Sequence, residues 1–185
     1  MRWVCLDPGE KRTGVALSSP EETFATPLTV LEHGPAGPSM EQLDVLLDEY
    51  WIDAILIGVP VSMDDTLSTQ SRAAIDLAVR IAAHLATRVV IPGELEALRD
   101  ALPSDTGAVR SAQNAGEVPV VLWDERLSTW RARKALYDTR EGTRRRGVRP
   151  KRLDAHAAAV ILQSYFDSMT QHRATDTQST PERDG

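Results

Sequence analysis

Two apolar runs in this 185-residue chain end on acids: Leu6 gives way to Asp7, and Trp123 to Asp124 and Glu125. An apolar strand releases the chain at the edge of its sheet, and open α/β sheets gather ligands outside the carboxyl ends of their strands. A third acid, Asp154, opens the last apolar-rich segment directly after a strongly basic stretch. Each has an ordinary structural use. Asp7 precedes Pro8 and Gly9 as a turn residue would, Glu125 has Arg126 beside it, and an acid in a first helical turn suits the macrodipole. Brought together, however, carboxylates repel and tend to hold protons unless a cation neutralises them. A hard divalent ion such as Mg2+ or Mn2+ supplies that charge, taking oxygen ligands and keeping several waters. Two such ions can clamp the attacking and leaving oxygens of an in-line phosphodiester cleavage.

The charge distribution points to the same chemistry. The net charge is −6, yet between Arg126 and Arg152 eleven cations stand against two acids, Asp138 and Glu141. A solvated helix face mixes signs. This segment does not, which favours contact with a polyanion. Acids at strand ends beside a basic segment make a nuclease the chemical expectation.

The elements that would position these groups follow from the hydropathy pattern. Segments 2–7 and 15–19 have strand character across the turn-rich 8–14, which predicts an opening hairpin. A third strand is expected over about 27–32 and a loop over 33–38. Ser39 and Gln42 have capping-box spacing ahead of Leu43, Leu46, Leu47 and Tyr50, the apolar face of a first helix. The run 53–60 has the pattern of a strand covered on both faces. Ile75, Leu77, Ala78, Ile81, Ala82 and Leu85 make a second amphipathic helix after the polar loop 61–70. Weaker patterns predict a strand at 88–92 and helices at 94–102 and 129–137. Segment 118–125 is a further strand, 139–152 a basic loop, and 153–168 a final helix. Hairpin, then alternating helices and strands, predicts an α/β fold: a mixed central sheet with helices on both faces. One domain is expected over 1–168, with a polar, apolar-poor tail at 169–185 that composition marks as disordered.

Several classes are disfavoured. No apolar run approaches the roughly 18 residues of a membrane span. The first ten residues meet an acid and a proline too early for a secretory signal, so the cytoplasm is expected. Cys5 is alone, which excludes an intrachain disulfide, and its apolar neighbours suit a buried hydrophobe. The four histidines lack paired ligand spacing, which disfavours zinc.

The segments WVCLDPGEKRTGVALSS, ILIGVPVSMDDT, VVLWDERLSTWRARKAL and RLDAHAAAVILQSYFD occur in that order. Together they resemble the YqgF/RuvX family of ribonuclease H-like proteins, described both as pre-16S ribosomal RNA nucleases and as Holliday junction resolvases. The similarity spans about 1–87 and 118–167. It implies a ribonuclease H-like fold and a metal-binding, catalytic triad of Asp7, Glu125 and Asp154, with Asp124 a neighbour. Asp7 would bridge two ions, and Glu125 and Asp154 would each support one side. Arg126, Arg144, Arg145, Arg146, Arg149, Lys151 and Arg152 would grip the phosphate backbone of pre-rRNA or branched DNA. Ser62 and Thr66 would be further donors to substrate.

Two departures stand out. Segment 88–117 is longer than the family's usual connection, as a surface insertion would be, and Asp65 stands where the family commonly has glycine. The sequence leaves monomer and homodimer open, and it leaves open a non-catalytic ribosome-assembly or nucleic-acid-binding factor. DPGEKRTG also fits the first phosphate loop of actin-like and sugar-kinase ATPases, but those folds enclose nucleotide between two such domains, and this chain is too short for both.

Overall fold

The first apolar run forms β1 (Trp3–Pro8), and β2 (Arg12–Ser18) returns antiparallel beside it, so the opening hairpin is tighter than the turn-rich sequence suggests. The Gly9 amide donates to the Arg12 carbonyl at 2.9 Å to close it. The computed structural model describes residues 1–34, 37–62, 66–91, 102, 117–124 and 151–177, with the side chains of 151, 152 and 172–177 excepted. The expected helix at 129–137, that at 94–102 apart from Leu102, and the rest of segment 92–116 lie outside these.

The remaining elements are β3 (Ala25–Gly34), β4 (Gly37–Pro38), α1 (Met40–Tyr50), β5 (Ala54–Val59), α2 (Thr69–His84), β6 (Val89–Val90), β7 (Val120–Asp124) and α3 (Lys151–Thr177). The described strands form one sheet in the order β4-β3-β2-β1-β5-β7-β6. The β4 to β1 side is antiparallel, whereas β1, β5, β7 and β6 run parallel. Parallel neighbours need crossover connections. Thus α2 leaves from the same sheet edge at which β1 delivers Asp7. This is the expected mixed α/β sheet.

Strand alternation sorts the core into two faces. Val4, Leu6, Ile55, Ile57, Val59, Val120 and Leu122 pack with Leu43 and Leu46 of α1 and Ala74, Leu77 and Ala78 of α2. Trp3, Cys5, Ala16, Ala54, Leu56, Val121 and Trp123 pack with Ala158, Ile161, Leu162 and Phe166 of α3. Helices therefore cover both faces. β5 is buried throughout, as its unbroken apolar run demands. Cys5 is a buried member of the α3-side core. No helix among the described residues is long and apolar enough to cross a membrane.

Two local expectations are corrected. The loop expected over 33–38 is instead the end of β3 paired with β4, with Gly37 at φ 94° giving the backbone a conformation that glycine adopts without strain. Trp51 is 82% exposed: it caps α1 in the left-handed region at φ 56°, its amide donating to the Leu47 carbonyl. The last helix continues beyond Ser168 to Thr177, through nine residues expected to be disordered. Neither Gly nor Pro interrupts the chain before Pro181, and a nucleated helix propagates at little cost. Residues 178–185 lie outside the described residues.

α3 is fastened at several points. Tyr165 sits with its ring centroid 5.0 Å from Trp3 and 5.2 Å from Trp123, and each such pair contributes about 0.5–1.5 kcal/mol beyond burial. The Trp123 indole N–H donates to Ser164 Oγ. Gln163 accepts from the Ala25 amide and donates to the Thr23 carbonyl, tying α3 to the start of β3.

His33 on β3 braces the β1–β2 hairpin. Its ring nitrogen lies 2.8 Å from Thr13 Oγ1, and its amide donates to the Lys11 carbonyl at 3.0 Å. Burial lowers its pKa, with Arg80 adding to the effect, while the Glu10 carbonyl and the Glu32 charge oppose it. A depressed pKa means the unfolded chain takes up the proton first. The contribution is therefore present above about pH 6.5, the unperturbed value, and is lost as pH falls through the folded one. Urea midpoints measured from pH 7.5 to 5 should fall less steeply for His33→Gln than for the parent. Identical slopes would refute this.

Candidate functional site

At the carboxyl edge of β1, residues Asp7, Pro8, Gly9, Glu10, Lys11 and Arg12 meet the first turns of α2 (Thr69, Gln70, Ala73) and Asp154 of α3 around an open cleft of about 430 Å³. Two of the three expected acids thus line one pocket. Asp7 follows Trp3 and Cys5 on the α3 side of β1 by the two-residue period of a strand. Asp154 stands in the first turn of α3, where a carboxylate is favoured by the helix dipole.

What brings them together is β2. Gly14 is the cross-strand partner of Asp7. A Cβ placed on Gly14 would lie 2.1 Å from the Asp154 carbonyl oxygen and 2.5 Å from its carbonyl carbon. The start of α3 therefore rests directly on the backbone of β2, which only glycine permits. Two residues earlier on the same face, Arg12 Nε binds Asp154 Oδ2 at 2.8 Å, the two side chains only 19% and 13% exposed. A hydrogen bond between charged groups at such a site contributes about 1.5–3 kcal/mol.

Gly14→Ala should cost about 1–3 kcal/mol, near the upper end because the obstacle is backbone, which cannot rotate away as a side chain can. In a chain of this size that lowers the melting temperature by several degrees. A thermal melt checks it, and a variant melting with the parent would contradict the close approach.

Asp124 ends β7, 1% exposed and in register with Val59. Val59 belongs to the core under α1 and α2, so Asp124 occupies the face opposite Asp7. Glu125, Arg126, Arg144, Arg145, Arg146 and Arg149 lie outside the described residues, as do the side chains of Lys151 and Arg152. Among the described residues, no cluster of three or more His, Cys, Asp or Glu side chains is placed to hold a metal. The cleft is lined by three carboxylates, Asp7, Glu10 and Asp154, and by neither His nor Cys. Such a donor set suits a hard, oxygen-seeking cation better than zinc.

Sequence reasoning missed Lys11, Arg12, Thr69 and Gln70 as parts of the cleft wall. Ser62 and Thr66 are not among the residues lining this cleft, whose wall on that side comes from α2. The signal was available at Ser68, whose side chain accepts from the Ser71 amide while Ser71 Oγ accepts from the Ser68 amide. That reciprocal cap fixes the helix start at Thr69, and β5 brings it to the edge where β1 ends.

A family model described as RuvX, Holliday junction resolvase, matches residues 1–96 and 106–168. The unmatched residues, 97–105, are nine of the thirty in the segment read as an insertion. The chain is 32% identical to a Desulforamulus reducens protein over 91% of this chain and 98% of that one. It is 29% identical to a Thermoanaerobacter pseudethanolicus protein over 91% and 97%. Both are provisionally named pre-16S rRNA nuclease. Among solved structures it is similar to T. thermophilus RuvC in complex with Holliday junction substrate, with 16% identity, TM-score 0.44, and coverage of 92% and 96%. At that level the likeness says nothing about substrate.

Proposed function

The chain belongs to the RuvX, Holliday junction resolvase, family, and on that premise we propose that it is a divalent-metal-dependent nuclease that hydrolyses phosphodiester bonds in structured nucleic acid. The observation that carries this reading is the meeting of Asp7 and Asp154 in one cleft, joined across Gly14. Glu125 completes the ligand set. It follows Asp124 in the sequence, and the period of a strand favours it over Asp124 for the face that Asp7 occupies. Mg2+ or Mn2+, bound in one or two copies, would supply an activated water and stabilise the leaving oxygen.

The chain's own residues do the rest. Asp7, Glu125 and Asp154 hold the cation. Lys11, on the cleft wall, offers a point charge to a phosphate. Arg126 and the cations from Arg144 to Arg152 grip the phosphate backbone, positioning the strand without reading its sequence. This reading puts the protein in the cytoplasm.

For substrate we favour precursor ribosomal RNA, processed toward the 5' end of 16S rRNA, in keeping with the names of the two curated relatives. A four-way DNA junction is the second reading, favoured by the description of the family. The two differ in what they demand. Resolving a symmetric junction takes two coordinated cuts and hence a dimer, whereas trimming an RNA end can be done by a monomer. Purified protein with Mg2+ or Mn2+ should be given both substrates and its cut positions mapped. Cuts near the mature 5' end of the RNA support the first reading, and paired symmetric cuts in the junction support the second. Cleavage of neither, with binding retained, would make the protein a non-catalytic factor.

A further inference from the structure

We infer that Arg12 is a positioning residue that sets the orientation of Asp154 for cation binding; this deepens the reading of the cleft as a metal site and rests on it. Arg12 begins β2, and its side chain lies on the face where α3 packs, two residues from the Gly14 seat. The Asp154 backbone is fixed by that seat, but a seat on the backbone leaves the carboxylate free to rotate about its side-chain torsions. The 2.8 Å contact from Arg12 Nε to Oδ2 selects one orientation, and the limited exposure of both groups shields it from water. A carboxylate has about four lone-pair sites, so this contact does not exhaust its capacity to coordinate. Arg12 also lines the cleft itself, as do Asp7 and Asp154.

Two effects of Arg12 on cation affinity have opposite signs. A guanidinium beside the carboxylates lowers the negative potential that attracts a divalent ion, so charge alone predicts tighter binding once it is removed. Orientation predicts weaker binding, because hydrogen bonds that fix the side chains holding a metal typically support affinity or activity by about 10–100-fold. The geometry favours orientation: the bond is short, made through a specific nitrogen, and aimed at a ligand whose backbone is already immobile.

The test is Mn2+ affinity, read by paramagnetic resonance or calorimetry, for the parent, Arg12→Met, Arg12→Lys and Asp7→Asn, with a thermal melt of each metal-free protein. Arg12→Met should bind Mn2+ about 10-fold or more weakly, with Arg12→Lys, which keeps the charge but not the planar donor, in between. In cleavage assays Arg12→Met should lose kcat at saturating nucleic acid, with KM little changed. Parental or tighter Mn2+ binding by folded Arg12→Met overturns the assignment. If that variant does not fold, Arg12→Lys decides: several-fold weaker binding supports the inference, and parental affinity refutes it. A parent that binds no Mn2+, or an Asp7→Asn variant that binds it normally, defeats the metal reading itself, an outcome distinct from any result at Arg12.

Discussion

Asp7→Asn protein is expected to keep its fold and most of its nucleic-acid affinity and to lose cleavage by at least about a thousandfold, on the order of 4 kcal/mol in the barrier. The substitution is nearly isosteric, and Asp7 lies at the end of a strand whose pairing with β2 and β5 is made by backbone. What it removes is one negative oxygen from the cleft. If Asp7 is the ligand shared by two cations, its loss weakens both positions at once. Parent and variant purified by the same route, with single-turnover cleavage measured in Mg2+ and in Mn2+, make the comparison. A variant that cuts like the parent removes Asp7 from the mechanism.

The second large effect is expected from reversing Arg144, Arg145 and Arg146 to Glu. These residues lie in the basic segment outside the described residues, so the argument is one of charge alone. Each phosphate contact releases about 0.7–0.9 of a counterion, depending on the form of the nucleic acid. Losing three contacts should therefore flatten the plot of log affinity against log salt by about 2–3 units. Binding should weaken most at low salt, and uniformly across sequences, since backbone contacts carry no base information. An unchanged slope would mean that this basic segment faces something other than the nucleic acid.

Much of the arrangement was legible in the sequence because it rests on short-range rules. Alternation and turn signals located the opening hairpin, the doubly covered strand that became β5 and the apolar face of α2. They also placed Asp7 at a strand end and Asp154 in the first turn of the last helix. What could not be read were contacts between distant segments. Gly14 looks like an ordinary glycine until α3, some 140 residues later, is seen resting on it. Arg12 looks like one of several turn cations until Asp154 is seen beside it. Thr69 and Gln70 enter the cleft only because the parallel order of β1 and β5 brings the start of α2 to the same edge. The loop expected at 33–38 failed for a different reason: proline and glycine mark a change of direction, but not whether the chain on either side pairs with itself.

The most direct measurement is anomalous diffraction from crystals of the protein soaked in Mn2+. The account predicts a peak in the cleft at coordination distance, about 2.1–2.2 Å, from carboxylate oxygens of Asp7 and Asp154, with Glu125 joining them. A peak bound elsewhere while the cleft stays empty, or Asp7 and Asp154 ligating no common ion, would contradict it.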